Sequence, residues 1–168
     1  MFGYSAKETL NIMQKLYESH KVLTYPRTDS RYLSSDIVST LPERLKACGV
    51  GEYRSLANKV LTKPIKANKS FVDDSKVSDH HAIIPTEEYV NFANFTDKEC
   101  KIYDLVGKRF LAVLFPAHEF EQLTVHAKIG NEKFIARGKT VITAGWKEVY
   151  SNRFDDEETN EDVKEQLL

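Results

Sequence analysis

Cysteine is scarce here: two residues of 168, Cys48 and Cys100, stand isolated and form no Cys-x-x-Cys pair. That excludes a cysteine-built zinc module and a disulfide framework, and it fits reduced thiols in a cytoplasmic protein. No apolar stretch approaches the roughly 20 residues of a membrane span, and no secretory leader is visible. No membrane partner is therefore expected, and the localisation read from these absences is cytoplasmic. There is no internal repeat. Metal ligands are also missing: Asp79, His80 and His81 are consecutive and cannot easily converge on one ion, and no third ligand follows at helical spacing. No metal or cofactor is expected in these residues.

What is present suits a soluble fold. A 41% hydrophobic share is enough for a core, and 29% charged residues give an ordinary surface. At 168 residues, one domain or one plus a partial second is expected, as a monomer. The net charge of −1 hides a gradient. Residues 1–70 hold 12 Lys/Arg against 6 Asp/Glu, residues 71–150 hold 10 against 12, and residues 151–168 hold 2 against 7. A basic first third suits a polyanionic ligand, although lysines on solvated helix faces produce the same excess. The acidic end, from Asp155 to Asp162, has no apolar period and is expected to be disordered.

Periodicity gives a coarse structure. Ser5-Ala6-Lys7-Glu8 is a capping box, followed at helical spacing by Leu10, Met13 and Tyr17, with the helix ending near Ser19. A helix starting near Ser34 or Ser35 should be interrupted around Pro42 and resume to about Ala47, before Gly49. Glu52 to Leu61 reads as helix and residues 64–79 as loop. Thr96-Asp97-Lys98-Glu99 is a second capping box, opening a long helix with Ile102, Leu105, Val106, Phe110, Val113 and Leu114 on its core face. After Pro116 the period becomes two: Leu123, Val125, Ala127 and Ile129 alternate with polar residues. Gly130-Asn131 supplies a hairpin turn, residues 134–137 return, and Lys139 to Thr143 can add a strand. The fold class is α+β: a mostly helical domain over 1–115, a short antiparallel β portion over 116–150, and an acidic tail over 151–168.

Two motifs carry chemistry. The first is Thr24-Tyr25-Pro26-Arg27-Thr28-Asp29-Ser30-Arg31-Tyr32. Pro26 disfavours helix at Tyr25, so the tyrosine should be extended. A phenol near a guanidinium can attack a phosphodiester, because the arginine fork matches phosphate oxygens. The second is Ser78-Asp79-His80-His81-Ala82-Ile83-Ile84-Pro85-Thr86. A histidine can bond a phosphate or protonate a leaving group. On an extended segment neighbours point to opposite faces, so at most one of the pair should face a given site. Residue types alone also allow a packing tyrosine and a solvated histidine pair.

Together, the two motifs at this spacing resemble the type IA DNA topoisomerases, most closely the bacterial topoisomerase III branch. The resemblance runs from about Phe2 to Tyr150 and includes Gly145-Trp146. It implies that Tyr25 is the nucleophile forming a 5′-phosphotyrosine with single-stranded DNA, that Arg27 holds the scissile phosphate, and that His80 assists cleavage. Asp29, with Thr28 and Ser30, falls in the motif as active-site support, and Arg31 and Tyr32 join Arg27 as DNA-binding residues. His81 stands where relatives can carry a glutamate and receives no role.

The resemblance further implies strand breakage and rejoining without ATP. Magnesium would be bound by a toprim domain whose acidic motif is not found before Tyr25. The chain is thus expected to be a central piece of a larger enzyme, inactive alone and partnered by toprim and arch domains. The helical part resembles the movable tyrosine-bearing domain, and the strands resemble an incomplete hinge with exposed edges. A nucleoid-associated enzyme is expected. Two other readings compete: a single-stranded nucleic-acid-binding module that does not cut, and a tyrosine recombinase-like strand transferase. The last family places its tyrosine after its arginines and histidine, the reverse of the order here.

Overall fold

The computed structural model describes residues 2–151. The acidic end expected to be disordered, Asp155 to Asp162, lies outside them. The chain divides between Leu114 and Phe115 into two compact units.

The first unit is built on four α-helices. Helix α1 spans Ala6–Glu18, and Ser5 caps it by accepting the Glu8 amide at 3.1 Å. Glu8 turns its carboxylate to Lys98 instead of closing the box. Residues 35–40 form a 3-10 helix that runs straight into α2, Leu41–Cys48. Pro42 therefore opens α2 and does not interrupt it: in the first turn its missing N–H costs nothing. Helix α3 spans Tyr53–Leu61. Residues 64–79 are loop except for one 3-10 turn, Asp74–Lys76.

Helix α4, Asp97–Leu114, starts with a complete capping box: Glu99 accepts the Thr96 amide at 2.8 Å and Thr96 Oγ1 accepts the Glu99 amide at 3.3 Å. Its buried stripe differs from the expected one. Ile102 and Phe110 are buried with Tyr103, Gly107, Leu111 and Ala112, whereas Leu105, Val106, Val113 and Leu114 are half-buried. The helix is turned because Tyr103 packs edge-on against Phe92 and Phe95, with ring centroids at 5.7 and 5.8 Å. Leu16, Leu41, Leu45, Tyr103, Phe110 and Leu111 form the centre of this core.

The second unit holds one antiparallel hairpin, β1 (Glu119–Ile129) and β2 (Glu132–Thr143). Gly130 takes a positive φ of 62° at the turn. Lys139 to Thr143 continue β2 and add no further strand. Every residue of both strands is exposed, including one apolar face where Val125 opposes Ala136 and Ala127 opposes Phe134. After the hairpin, Gly145 at φ 55° passes so close to Ala117 that a Cβ would stand 2.2 Å from its carbonyl oxygen. Only glycine fits there.

Candidate active site

Two chain segments far apart in sequence are laced together to make the site. Just past the end of helix α1, Lys21 takes a positive φ of 58° and redirects the chain into an extended run toward Tyr25. Lys21 is held by Thr86, whose hydroxyl donates to its carbonyl at 2.6 Å. The run then pairs antiparallel with the end of the histidine motif. The Thr24 amide donates to Ile84 O and the Thr86 amide to Val22 O, each at 3.0 Å, with Leu23 opposite Pro85. Pro85 lacks an N–H, and this register asks none of it. The Thr24 hydroxyl accepts the Ile84 amide at 3.0 Å.

This lacing brings Tyr25 and His80 together. Their ring centroids lie 4.4 Å apart with the planes inclined at 44°. Tyr17, on α1, meets Tyr25 from another side, edge-on at 5.5 Å. Thr28 donates its hydroxyl to the His80 carbonyl at 2.8 Å, pinning the tyrosine loop to the histidine backbone. Thr28 Oγ1 also accepts the Ser30 amide, and the Ser30 hydroxyl donates to Lys76 O at 2.7 Å. Thr28 and Ser30 therefore act on the backbone of the loop. Tyr25 is half-buried, and His80, Arg27 and Asp29 are exposed. Arg27 and Asp29 make no ion pair or hydrogen bond with any described residue, so the Arg27 guanidinium stays available to an anion.

Tyr25 and His80 line a cleft of about 430 Å³ with Thr24, Ser34, Asp36, Asp74, Asp79 and His81 among its walls. Both histidines line it, against the expectation that one would point away. The backbone around Ser78–His80 bends and is not extended, so strict alternation does not apply. His81 is half-buried, with Nδ1 2.7 Å from the Ala82 carbonyl. A carbonyl only accepts, so Nδ1 carries the proton. The hydrogen bond from the Ser34 side chain, with help from the nearby His81, holds the Asp36 carboxyl below its ordinary range. Asp74 accepts the Ser35 amide at 2.7 Å.

A family model described as DNA topoisomerase matches residues 1–167. The DNA topoisomerase 3 of Bacillus thuringiensis (strain Al Hakam) is 83% identical over 99% of this chain, which covers 23% of that relative. The namesakes from Bacillus licheniformis and Bacillus subtilis (strain 168) are 57% and 56% identical over the same shares.

The chain belongs to the type IA DNA topoisomerases, in the topoisomerase III branch.

It spans about 23% of the length of these relatives. Within this topoisomerase segment, Arg31 and Tyr32 fall apart from the Tyr25 cleft. They line a second cleft of about 410 Å³. There Arg31 Nη2 and Lys76 Nζ each donate to the Tyr32 phenol oxygen at 3.3 Å. These two bonds, Arg31 first, lower the Tyr32 pKa from its ordinary value.

Several contributors escaped the reading of the sequence. Lys76 and Tyr17 reach the site only through tertiary packing, and nothing local announces them. Arg44 was legible: it shares a stripe with Leu41, Leu45 and Cys48 at helical spacing, and a cation in such a stripe needs partners. It is 7% exposed, and it donates to Thr40 Oγ1 at 2.8 Å and to Pro85 O at 2.9 Å, with Glu87 at 2.9 Å. Burial pulls its pKa down and Glu87 opposes that. Arg44 thus ties the end of the histidine motif to α2.

Among the described residues, no group of three or more His, Cys, Asp or Glu side chains could hold a metal ion. The described residues do not fit a magnesium site. No helix among them is long and apolar enough to cross a membrane.

Proposed function

We propose that Tyr25 is the nucleophile of a type IA DNA topoisomerase that breaks and rejoins single-stranded DNA. The observation that carries this is the Tyr25–His80 pair, 4.4 Å between ring centroids, in an open cleft. The Tyr25 oxygen loses its proton and attacks a backbone phosphorus. The bond from phosphorus to the 3′ oxygen breaks, and that oxygen leaves as a hydroxyl after taking up a proton. One phosphate ester is lost and one is gained, so the bond energy is kept as a 5′-phosphotyrosine and no ATP is needed. Arg27 binds the phosphate oxygens and offsets charge on the five-coordinate phosphorus in both directions. His80 supplies a hydrogen bond or proton at the phosphate or the leaving oxygen.

In the complete enzyme, toprim and arch domains would provide the opposite wall of the site, the magnesium and the gate for strand passage. The hairpin would belong to the hinge, in a monomeric enzyme working on the nucleoid. Its exposed apolar face supports such a neighbour. This segment alone should not relax supercoiled DNA, because nothing positions the leaving group.

The test is to trap a labelled oligonucleotide on the complete parent enzyme and map the adduct by peptide mass spectrometry. The modified peptide should carry Tyr25. Undetectable adduct under conditions where the same enzyme relaxes plasmid would instead favour a module that binds without cutting.

A further inference from the structure

The Tyr25 phenol has no hydrogen bond to anchor it: its hydroxyl neither donates to nor accepts from any described residue. A half-buried tyrosine without such a bond is held only by what its ring touches. Three staggered wells are open to a side chain at χ1, and attack on phosphorus needs the one that brings the reacting atoms to about 3–3.5 Å. Whatever closes the other wells decides how often the oxygen is in place.

Two rings stand against it. His80 lies 4.4 Å away between centroids, inclined at 44°, and Tyr17 lies 5.5 Å away at 79°, an edge-on pair. The two supports differ in firmness. His80 is exposed on a bent loop, and in the proposed function it serves the phosphate or the leaving oxygen. Tyr17 is half-buried in the last turn of α1, next to the fully buried Leu16, with Ile12 also in the core. The chain between the two tyrosines makes their meeting possible. Lys21, at φ 58°, turns it back, and the Thr86 hydroxyl holds the Lys21 carbonyl. Tyr25 is thus laid against the helix from which its own segment departs. The Tyr17 hydroxyl bonds to no described residue, so the pairing uses its ring alone.

We propose that Tyr17 is a positioning residue for strand cleavage: its ring keeps the Tyr25 phenol in the attacking rotamer while His80 attends to the phosphate. The inference rests on the reading of Tyr25 as the nucleophile. Because Tyr17 acts through Tyr25, its loss lowers the rate of the chemical step and leaves the affinity for DNA alone. A role in packing only would lower stability and leave the bound enzyme cutting at full rate.

The test uses the complete parent enzyme and a labelled single-stranded oligonucleotide. Cleavage is followed in single turnover over a range of enzyme concentrations, so that the maximal rate and the half-saturating concentration are read separately. Tyr17→Leu keeps an apolar side chain on the helix and removes the ring. It should lower the maximal rate about threefold to tenfold, as the loss of one ring pair and the opening of two further χ1 wells imply, with the half-saturating concentration unchanged. Tyr17→Phe keeps the ring and should cleave at the wild-type rate. Met13→Ala, half-buried one turn earlier on α1, loosens the helix without taking a ring from Tyr25 and should leave the maximal rate unchanged. Urea unfolding checks each variant, and Tyr17→Met is read in place of a Tyr17→Leu enzyme that does not fold. A full maximal rate without the ring would overturn the proposal, and so would a loss confined to the half-saturating concentration. Equal slowing by Tyr17→Phe or by Met13→Ala would overturn it too. The adduct is mapped first in the wild type. An adduct at a residue other than Tyr25 defeats the cleavage reading and this inference together, whereas an adduct on Tyr25 with an unaffected Tyr17→Leu rate defeats the positioning role alone.

Discussion

Tyr25 and Tyr32 belong to one motif and lie on one pair of laced segments, yet their surroundings are opposite. Tyr25 is packed by rings, Tyr17 edge-on and His80 inclined against it. Tyr32 is packed by cations, Arg31 and Lys76, which bond its oxygen and sit by its ring. The difference teaches how labour is divided. In the proposed function, the rings hold the Tyr25 phenol without neutralising the charge that attack would develop. Arg27, which pairs with no described residue, would meet that charge when a phosphate binds. At Tyr32 the cations already share an oxygen.

The comparison breaks most sharply at Arg27. In the complete enzyme, Arg27→Ala should slow oligonucleotide cleavage by about a hundredfold to a thousandfold, as loss of a transition-state donor does. Arg27→Lys should restore part of the rate, since charge returns without the fork. If Ala and Lys behave alike in single-turnover cleavage, the bidentate role is wrong.

Next comes the ring that touches Tyr25. His80→Ala should cost about a hundredfold in cleavage rate. His81→Ala should cost less, because its Nδ1 proton is committed to the Ala82 carbonyl. A larger loss at His81 would mean that the second histidine, also on the cleft wall, is the working one.

Arg44→Ala tests the scaffold shared by both tyrosines. It strips a buried hydrogen bond from the Pro85 carbonyl and should lower stability by about 1–3 kcal/mol in urea unfolding. No loss of stability would show that the lacing does not need its tie to α2.

The smallest effect sharpens the contrast by titration. With its pKa lowered by Arg31 and Lys76, Tyr32 should ionise below the ordinary tyrosine value of about 10. The sign follows: the folded state favours the phenolate, so the interaction gains strength as pH rises through the folded pKa and is complete above about 10. The ultraviolet titration of the wild type minus Tyr32→Phe should show this early component. Lys76→Ala should shift it upward, and an unmoved midpoint would contradict the assigned cause.

Much of this was legible beforehand, because the signals were local. Ser5 and Thr96 mark helix starts through caps that form within four residues. Gly130-Asn131 announces the hairpin. Tyr25, Arg27 and His80 stood out as residue types in ordered motifs, whereas the meeting of Tyr25 with His80 depends on the pairing of Thr24 with Ile84, which no periodicity encodes. Pro42 was misread because proline both breaks and opens helices, and the preceding 3-10 turn decides which. The α4 stripe was misplaced because Phe92 and Phe95, outside the helix, choose its buried side.

The central claim is that Tyr25, not Tyr32, forms the bond to DNA. Covalent trapping of a labelled single-stranded oligonucleotide on a denaturing gel, with Tyr25→Phe and Tyr32→Phe versions of the complete enzyme, tests it most directly. The account predicts no adduct with Tyr25→Phe while non-covalent binding persists, and a retained adduct with Tyr32→Phe. An adduct that survives Tyr25→Phe, or one that disappears only with Tyr32→Phe, would contradict it.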